Sequence, residues 1–255
     1  GGATAGLELL QWEAATGLVK LGGIPAGRPV IRVACGEAHC LAIVGATRGA
    51  RPGGEGEVYA WGRGAEGQLG VSFDDDDDEQ LRHRITSTPR GLETPMPVDG
   101  LAEDPAVDVV CGPRFSAALL ANGALRTWGL NESLQLGHHS LGNAGGQARV
   151  VWEPADVDLP PGVRVRSAAC GDAHMAAVAT DGQVFTWGLG DAGQLGRDRE
   201  QVLPWPEGTP GPVEASTLPA DVSVSMVRCG RSLTAALLAD GQVFAWGAAG
   251  DFREA

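Results

Sequence analysis

The strongest constraint on this chain is repetition. Cys-Gly pairs end at Gly36, Gly112, Gly171 and Gly230, and Trp-Gly pairs end at Gly62, Gly129, Gly188 and Gly247. In the last three copies each marker recurs at 59 residues. A fixed period of this kind means that each unit is one supersecondary element, burying its apolar face only against its neighbours. The fullest copy is residues 163–196, VRVRSAACGDAHMAAVATDGQVFTWGLGDAGQLG. It holds an apolar strand ending at Cys170-Gly171, a second strand opening at His174 and an Asp181-Gly182 turn. A third strand then ends at Trp187-Gly188, followed by the glycine-punctuated tail Gly190 to Gly196.

Ahead of the first repeat, residues 7–21 read as strand, either a short hairpin around Thr16-Gly17 or the closing strand of a preceding unit, although Leu7, Leu9, Leu10 and Trp12 also suit a brief helix. Repeat one runs from Val30 to Gly70, with strands at Val30–Cys35, His39–Val44 and Val58–Trp61. Its second turn is expanded: 26 residues separate the two marker glycines, against 17 in the next copy. The inserted Gly45–Gly56 stretch, rich in Gly, Pro and Arg, is expected at the surface as a hairpin tip. The other copies turn at Asn122-Gly123, Asp181-Gly182 and Asp240-Gly241, dipeptides that favour tight antiparallel hairpins. A fourth strand per unit is expected from the connectors, near Val98, Val150-Val151 and Pro212-Val213. Thr94-Pro95-Met96-Pro97-Val98 reads as an edge strand, where proline's missing N–H is tolerated. Four antiparallel strands at this period make a propeller blade. The fold class is therefore all-β, a β-propeller. The expected layout is one partial propeller domain over 1–255, with repeat cores at 30–70, 107–137, 163–196 and 222–255 and an acidic loop at 71–91. The fourth copy lacks the Gln-Leu-Gly that closes the other three, which reads as truncation.

Composition narrows function mainly by exclusion. A formal charge of −13 and a pI near 4.7 argue against binding nucleic-acid backbones, which takes clustered Lys and Arg. An acidic surface suits basic protein partners. No run of 18 apolar residues is present, so no membrane span is expected. The chain opens Gly1-Gly2-Ala3 with no visible targeting signal, and reads as a piece of something longer located inside the cell, in cytoplasm or nucleus. Cys35, Cys111, Cys170 and Cys229 occupy one repeat position, where a small buried residue before a turn is expected; unpaired cysteines favour a reducing compartment.

Sought as chemistry, the residues offer little. Neither Cys35, His39 and Cys40 nor His138-His139 forms the ligand quartet of a structural zinc site. His39 and His174 share a repeat position, pointing to packing or turn bonding. Ser116, Ser232 and Thr234 follow the Cys-Gly turn with no base patterned beside them. No phosphate loop or dinucleotide fingerprint occurs, and no cofactor, metal or catalytic residue is expected. The two interruptions of the repeat are the expected partner surface: Asp74, Asp75, Asp76, Asp77, Asp78 and Glu79 in the acidic loop, with Arg48 and Arg51 in the insertion. Six adjacent acids repel one another and stay solvated, and their spacing is not that of a calcium loop.

The pattern V-x-x-V-x-C-G-x-x-H, followed by A-x-x-x-D-G-x-V-x-x-W-G-x-G-x-x-G-Q-L-G, resembles the regulator of chromosome condensation repeat family. Residues 163–196 match nearly throughout and 30–70 match apart from the insertion. In 107–137 Phe115 replaces His and Asn131-Glu132-Ser133-Leu134-Gln135 departs from the glycine tail; in 222–255 Leu233 replaces His. The resemblance implies a propeller of about seven four-stranded blades, of which this chain holds four and a stub. A complete structural repeat with no catalytic constellation points to a non-catalytic interaction scaffold; the resemblance implies guanine-nucleotide exchange on a Ran-like small GTPase, and a third reading is the regulatory propeller of a larger enzyme such as a ubiquitin ligase. The family includes a plant UV-B photoreceptor with a Gly-Trp-Arg-His-Thr run, absent here. Trp61, Trp128, Trp187 and Trp246 are instead expected to fill the space between blades.

Overall fold

A computed structural model describes residues 10–13, 17–20, 22–45, 55–71, 83, 85–86, 91–101, 103–138, 149–197, 210–213, 218–219 and 223–248. The N-terminal segment is a hairpin of β1 (Leu10–Glu13) and β2 (Gly17–Lys20), so the strand alternative holds over the helical one. Blade one comprises β3 (Val30–Cys35), β4 (His39–Gly45), β5 (Gly56–Gly62) and β6 (Leu92–Pro97). Blade two comprises β7 (Ala106–Cys111), β8 (Phe115–Leu120), β9 (Leu125–Leu130) and β10 (Val150–Asp156). Blade three comprises β11 (Val165–Cys170), β12 (His174–Ala179), β13 (Val184–Gly188) and the two-residue β14 (Gly211–Pro212). Blade four shows β15 (Val224–Cys229), β16 (Leu233–Leu238) and β17 (Val243–Gly247). All pairings are antiparallel, and a single bridge between Gly56 and Ala106 joins the sheets of blades one and two. Residues 83, 85 and 86 are helical, and Ile85 packs into the first core. The connector strands fall where the sequence placed them, and the proline-bearing β6 pairs with β5 alone.

The hairpin turns differ in one respect from the expected tight form. Only the glycines, Gly123, Gly182 and Gly241, take positive φ (85°, 93° and 91°). The preceding Asn122, Asp181 and Asp240 instead use a side-chain oxygen to accept the N–H two residues on, at 2.8, 2.9 and 3.0 Å. This is an Asx-type turn closed by a left-handed glycine. A register shift follows at the same place in every inner strand, between Val30 and Arg32, Ala106 and Asp108, Val165 and Ser167, and Val224 and Met226. Such bulges sharpen local twist. They are part of the repeat.

Core packing lies between blades more than within them. One apolar cluster joins Leu41 and Ile43 of blade one to Trp128 of blade two; a second joins Phe115 and Leu119 to Trp187; a third joins Ala176 and Val178 to Val227 and Leu238. The arc ends open. Val184-Phe185-Thr186-Trp187 in β13 is buried throughout, whereas in the matching Val243-Phe244-Ala245-Trp246 of β17 Val243 is 67% exposed. At the other end Ile31 and Val33 of β3 are 37% and 50% exposed.

Candidate functional site at the channel mouth

The repeat's signature residues meet at each junction between blades. After the third strand, the tail folds so that its Gln side chain caps its own turn. Gln68, Gln135 and Gln194 Oε1 accept the N–H two residues back, from Glu66, Ser133 and Ala192, at 3.0, 2.8 and 2.8 Å. That leaves each Gln backbone carbonyl aimed at the next blade. Gln68 O accepts Trp128 Nε1–H at 2.9 Å, Gln135 O accepts Trp187 at 3.0 Å, and Gln194 O accepts Trp246 at 3.0 Å. The glycine that closes each tail lies against the same indole: a Cβ on Gly70, Gly137 or Gly196 would come within 2.8 Å of its Nε1. In blade two Leu134 stands where Gly67 and Gly193 stand, and still adopts φ 60°. Asn131 Oδ1 supports that turn by accepting Leu136 N–H at 3.0 Å.

The same carbonyls draw in the hydroxyls of the following blade, and here an expectation from sequence is corrected. Ser116 and Thr234 do have a histidine beside them, supplied by the preceding blade. His39 Nε2 is 2.9 Å from Ser116 Oγ, and His174 Nε2 is 3.0 Å from Thr234 Oγ1. Each hydroxyl donates to a Gln carbonyl, Ser116 to Gln68 O and Thr234 to Gln194 O, both at 2.8 Å. The network therefore assigns the Nε2–H tautomer, with histidine the donor, and leaves each Nδ1 buried without a partner. Burial holds both histidines neutral, lowering them to about 4. A donating imidazole beside a fully buried hydroxyl is a fastener and has no access to substrate. At the junction of blades two and three, Phe115 and Met175 occupy these positions and are fully buried in one apolar cluster. His138, whose side chain is also buried, has its Nε2 2.7 Å from Thr127 Oγ1 and 3.1 Å from Ala155 O.

With these residues absorbed by the junctions, the exposed chemistry lies around the central axis. Inner strands β3, β7, β11 and β15 all end at cysteine, and the turns that follow line one cavity of about 750 Å³. The four turns read Gly36-Glu37-Ala38-His39, Gly112-Pro113-Arg114-Phe115, Gly171-Asp172-Ala173-His174 and Gly230-Arg231-Ser232-Leu233. Position four of the first three turns is a junction residue, and Glu37, Arg114, Asp172 and Arg231 are exposed at the mouth. Arg114 lies 3.9 Å from both Glu37 and Glu66, and Arg231 lies 3.1 Å from Asp172. Backbone bonds brace the same neighbours, Glu37 N–H to Pro113 O at 3.3 Å and Asp172 N–H to Arg231 O at 3.1 Å. Arg231 is 88% exposed, and such pairs contribute little to stability. They remain free to exchange partners.

None of the four mouth residues was singled out from sequence, although one signal was present: their charge alternates from copy to copy just after the repeated Cys-Gly. The residues that were singled out, Arg48, Arg51, Asp74, Asp75, Asp76, Asp77, Asp78 and Glu79, lie outside the described residues, as do His139 and the tail after Ala248. Their flanks are well anchored. Arg28 grips the base of the insertion, donating to Gly45 O at 2.7 Å, Val44 O at 2.9 Å and Glu57 Oε2 at 2.8 Å. Val71 and Ile85 are buried in the first core on either side of the acidic run.

Among the described residues no helix is long and apolar enough to cross a membrane. Comparison with known proteins follows the architecture. The family model described as "Regulator of chromosome condensation (RCC1) repeat" matches residues 55–119, 122–178 and 181–237. A mitochondrial RCC1 domain-containing protein of Arabidopsis thaliana, RUG3, is 35% identical over 201 residues, covering 78% of this chain and 39% of its own length. The human E3 ubiquitin-protein ligase HERC2 is 34% identical over 229 residues, covering 87% of this chain and 4% of the ligase. The crystal structure of human WBSCR16 superposes with a TM-score of 0.66 at 29% identity, covering 90% of this chain and 50% of that one. The chain thus spans half or less of the length of each of these three proteins.

Proposed function

The chain belongs to the regulator of chromosome condensation repeat family, and from that premise we propose that it is a non-catalytic protein-binding propeller, contacting its partner through the channel-mouth face. The observation that carries this reading is the division of labour within each turn. The junction residues His39, Phe115 and His174 are buried against the next blade, while Glu37, Arg114, Asp172 and Arg231 are exposed and charged, acidic in blades one and three and basic in blades two and four. A surface that varies over a constant frame is where a repeat protein acquires its own partner. The acidic run Asp74–Glu79 and the insertion bearing Arg48 and Arg51 extend that surface in our reading, and the net charge of −13 favours a partner with a basic contact region.

The match to a short section of a ubiquitin ligase supports a module that serves a longer protein, with any catalysis elsewhere in it. We place it inside the cell, organelles included, since one relative is named as mitochondrial. Exchange on a Ran-like small GTPase is the reading that rests on family membership alone. A nucleotide-release assay decides it: acceleration by the propeller would replace the scaffold reading with the exchange one.

The direct test is charge reversal at the mouth. Arg114→Glu with Arg231→Glu should leave the melting temperature within a few degrees of wild type, because both side chains are exposed. The proteins captured by the immobilised wild-type propeller from cell extract should be lost. Unchanged capture by the double variant would move the binding face elsewhere.

A further inference from the structure

Blade one differs from the other three in the pair that closes its mouth turn. The terminal cysteine of each inner strand faces one residue of the next strand: Cys35 faces Cys40, Cys111 faces Ser116, Cys170 faces Met175, and Cys229 faces Thr234. Two thiols oppose each other only in blade one. Their sulfurs stand 3.2 Å apart, Cys40 donating to Cys35. Gly36 N–H bonds to His39 O at 2.8 Å, just beyond the pair. Cys35 and Cys40 are therefore a non-hydrogen-bonded pair, the kind whose Cα atoms lie about 4.5 Å apart with side chains adjacent. That separation falls within the range disulfides span.

The turn holding them is fixed on three sides. Beyond the Gly36 bond, Arg63 N–H donates to Ala38 O at 2.7 Å and Glu37 N–H reaches Pro113 O at 3.3 Å. The His39 ring folds beneath Gly36, where a Cβ would meet it at 2.3 Å. The two thiols also differ in access. Cys35 is exposed on the cavity rim, and Cys40 is half-buried behind it. Burial, and then the neighbouring Cys35, push the Cys40 thiol up to about 12. The Cys35 contribution is relieved once Cys35 is derivatised.

We propose that Cys35 and Cys40 form a reversible dithiol–disulfide site at the channel mouth, oxidised by a low-molecular-weight disulfide of the glutathione class. The Cys35 thiolate attacks the oxidant's S–S bond, forming a mixed disulfide and expelling one thiolate. Cys40 gives up its proton and attacks the Cys35 sulfur, closing the Cys35–Cys40 bond and expelling the second thiolate. The protein loses two protons and two electrons, and the oxidant is reduced to two thiols. Closure joins β3 to β4 covalently at the rim and removes the exposed thiol from the cavity.

Incubation of the whole chain in glutathione buffers of increasing oxidised fraction, followed by alkylation and peptide mapping, tests this. The wild type should retain three of its five alkylatable thiols and yield one linked peptide pair, Cys35 with Cys40, reopened by excess reduced glutathione. Cys40→Ser installs the residue blade two carries at that place, Ser116, so it should fold as wild type. It should stop at a stable Cys35–glutathione adduct, whereas Cys35→Ser should give neither adduct nor linked pair. Five free thiols at every buffer ratio, a link from either cysteine to Cys111 or to a second molecule, or a Cys40→Ser protein that still forms an internal disulfide would each overturn the proposal.

Discussion

At the scale of single residues, the histidines give the sharpest prediction. His39 and His174 are neutral in the folded state with their pKa lowered to about 4, against 6.5 for an unperturbed histidine. Between those values the unfolded chain binds protons that the folded chain refuses, so stability falls as pH falls. The contribution is complete above about pH 6.5 and exhausted near pH 4, and amounts to roughly 3 kcal/mol per histidine by the usual conversion of pKa shift to free energy. Urea denaturation at pH 7 and pH 4.5 should show a clear drop in midpoint. An unchanged midpoint would mean that the rings are not buried as described. These histidines were legible from sequence only as a repeated position. That they reach across to the next blade's hydroxyl was not, because Ser116 and Thr234 lie 77 and 60 residues further along the chain.

At the scale of the element, the third strand and its tail form a single joint. Trp187 is fully buried, donates to Gln135 O and rests on Gly137. Truncating it removes the packing of a large side chain and leaves a buried carbonyl without its donor. Trp187→Ala should therefore cost about 3–5 kcal/mol. Trp246 makes the same bond at the open end of the arc but is only half-buried, so Trp246→Ala should cost less than half as much. Denaturant titration of the two variants checks the ranking, and equal losses would contradict the assignment of burial to the junctions. The interblade role of these tryptophans was readable in the 59-residue spacing. The glycine tail was readable as a turn, but its purpose of presenting a Gln carbonyl to the next blade emerges only from the bonds. Leu134 shows how far the geometry tolerates sequence: the motif lapses there, and the backbone keeps the left-handed conformation that glycine supplies in the neighbouring copies.

At the scale of the whole molecule, the described residues form four blades held in sequence by three junctions, and we place what is specific to the chain off that frame. The fold was legible because every blade must solve the same packing problem with the same residue types at the same spacing. The mouth was not, since a turn whose exposed residues vary looks like noise until the inner strands bring the four turns around one cavity. Each junction is a matched pair that can be exchanged for another. The chain already contains two solutions, histidine with a hydroxyl at the first and third junctions and Phe115 with Met175 at the second. A double-mutant cycle on the third junction measures this directly, by denaturant titration of His174→Phe, Thr234→Met and the two combined. Each single change should cost about 1–3 kcal/mol by leaving a buried polar group without its partner, and the combined variant should recover at least 1 kcal/mol of the summed loss. Strictly additive losses would contradict the claim that the repeat's signature residues act by joining one blade to the next.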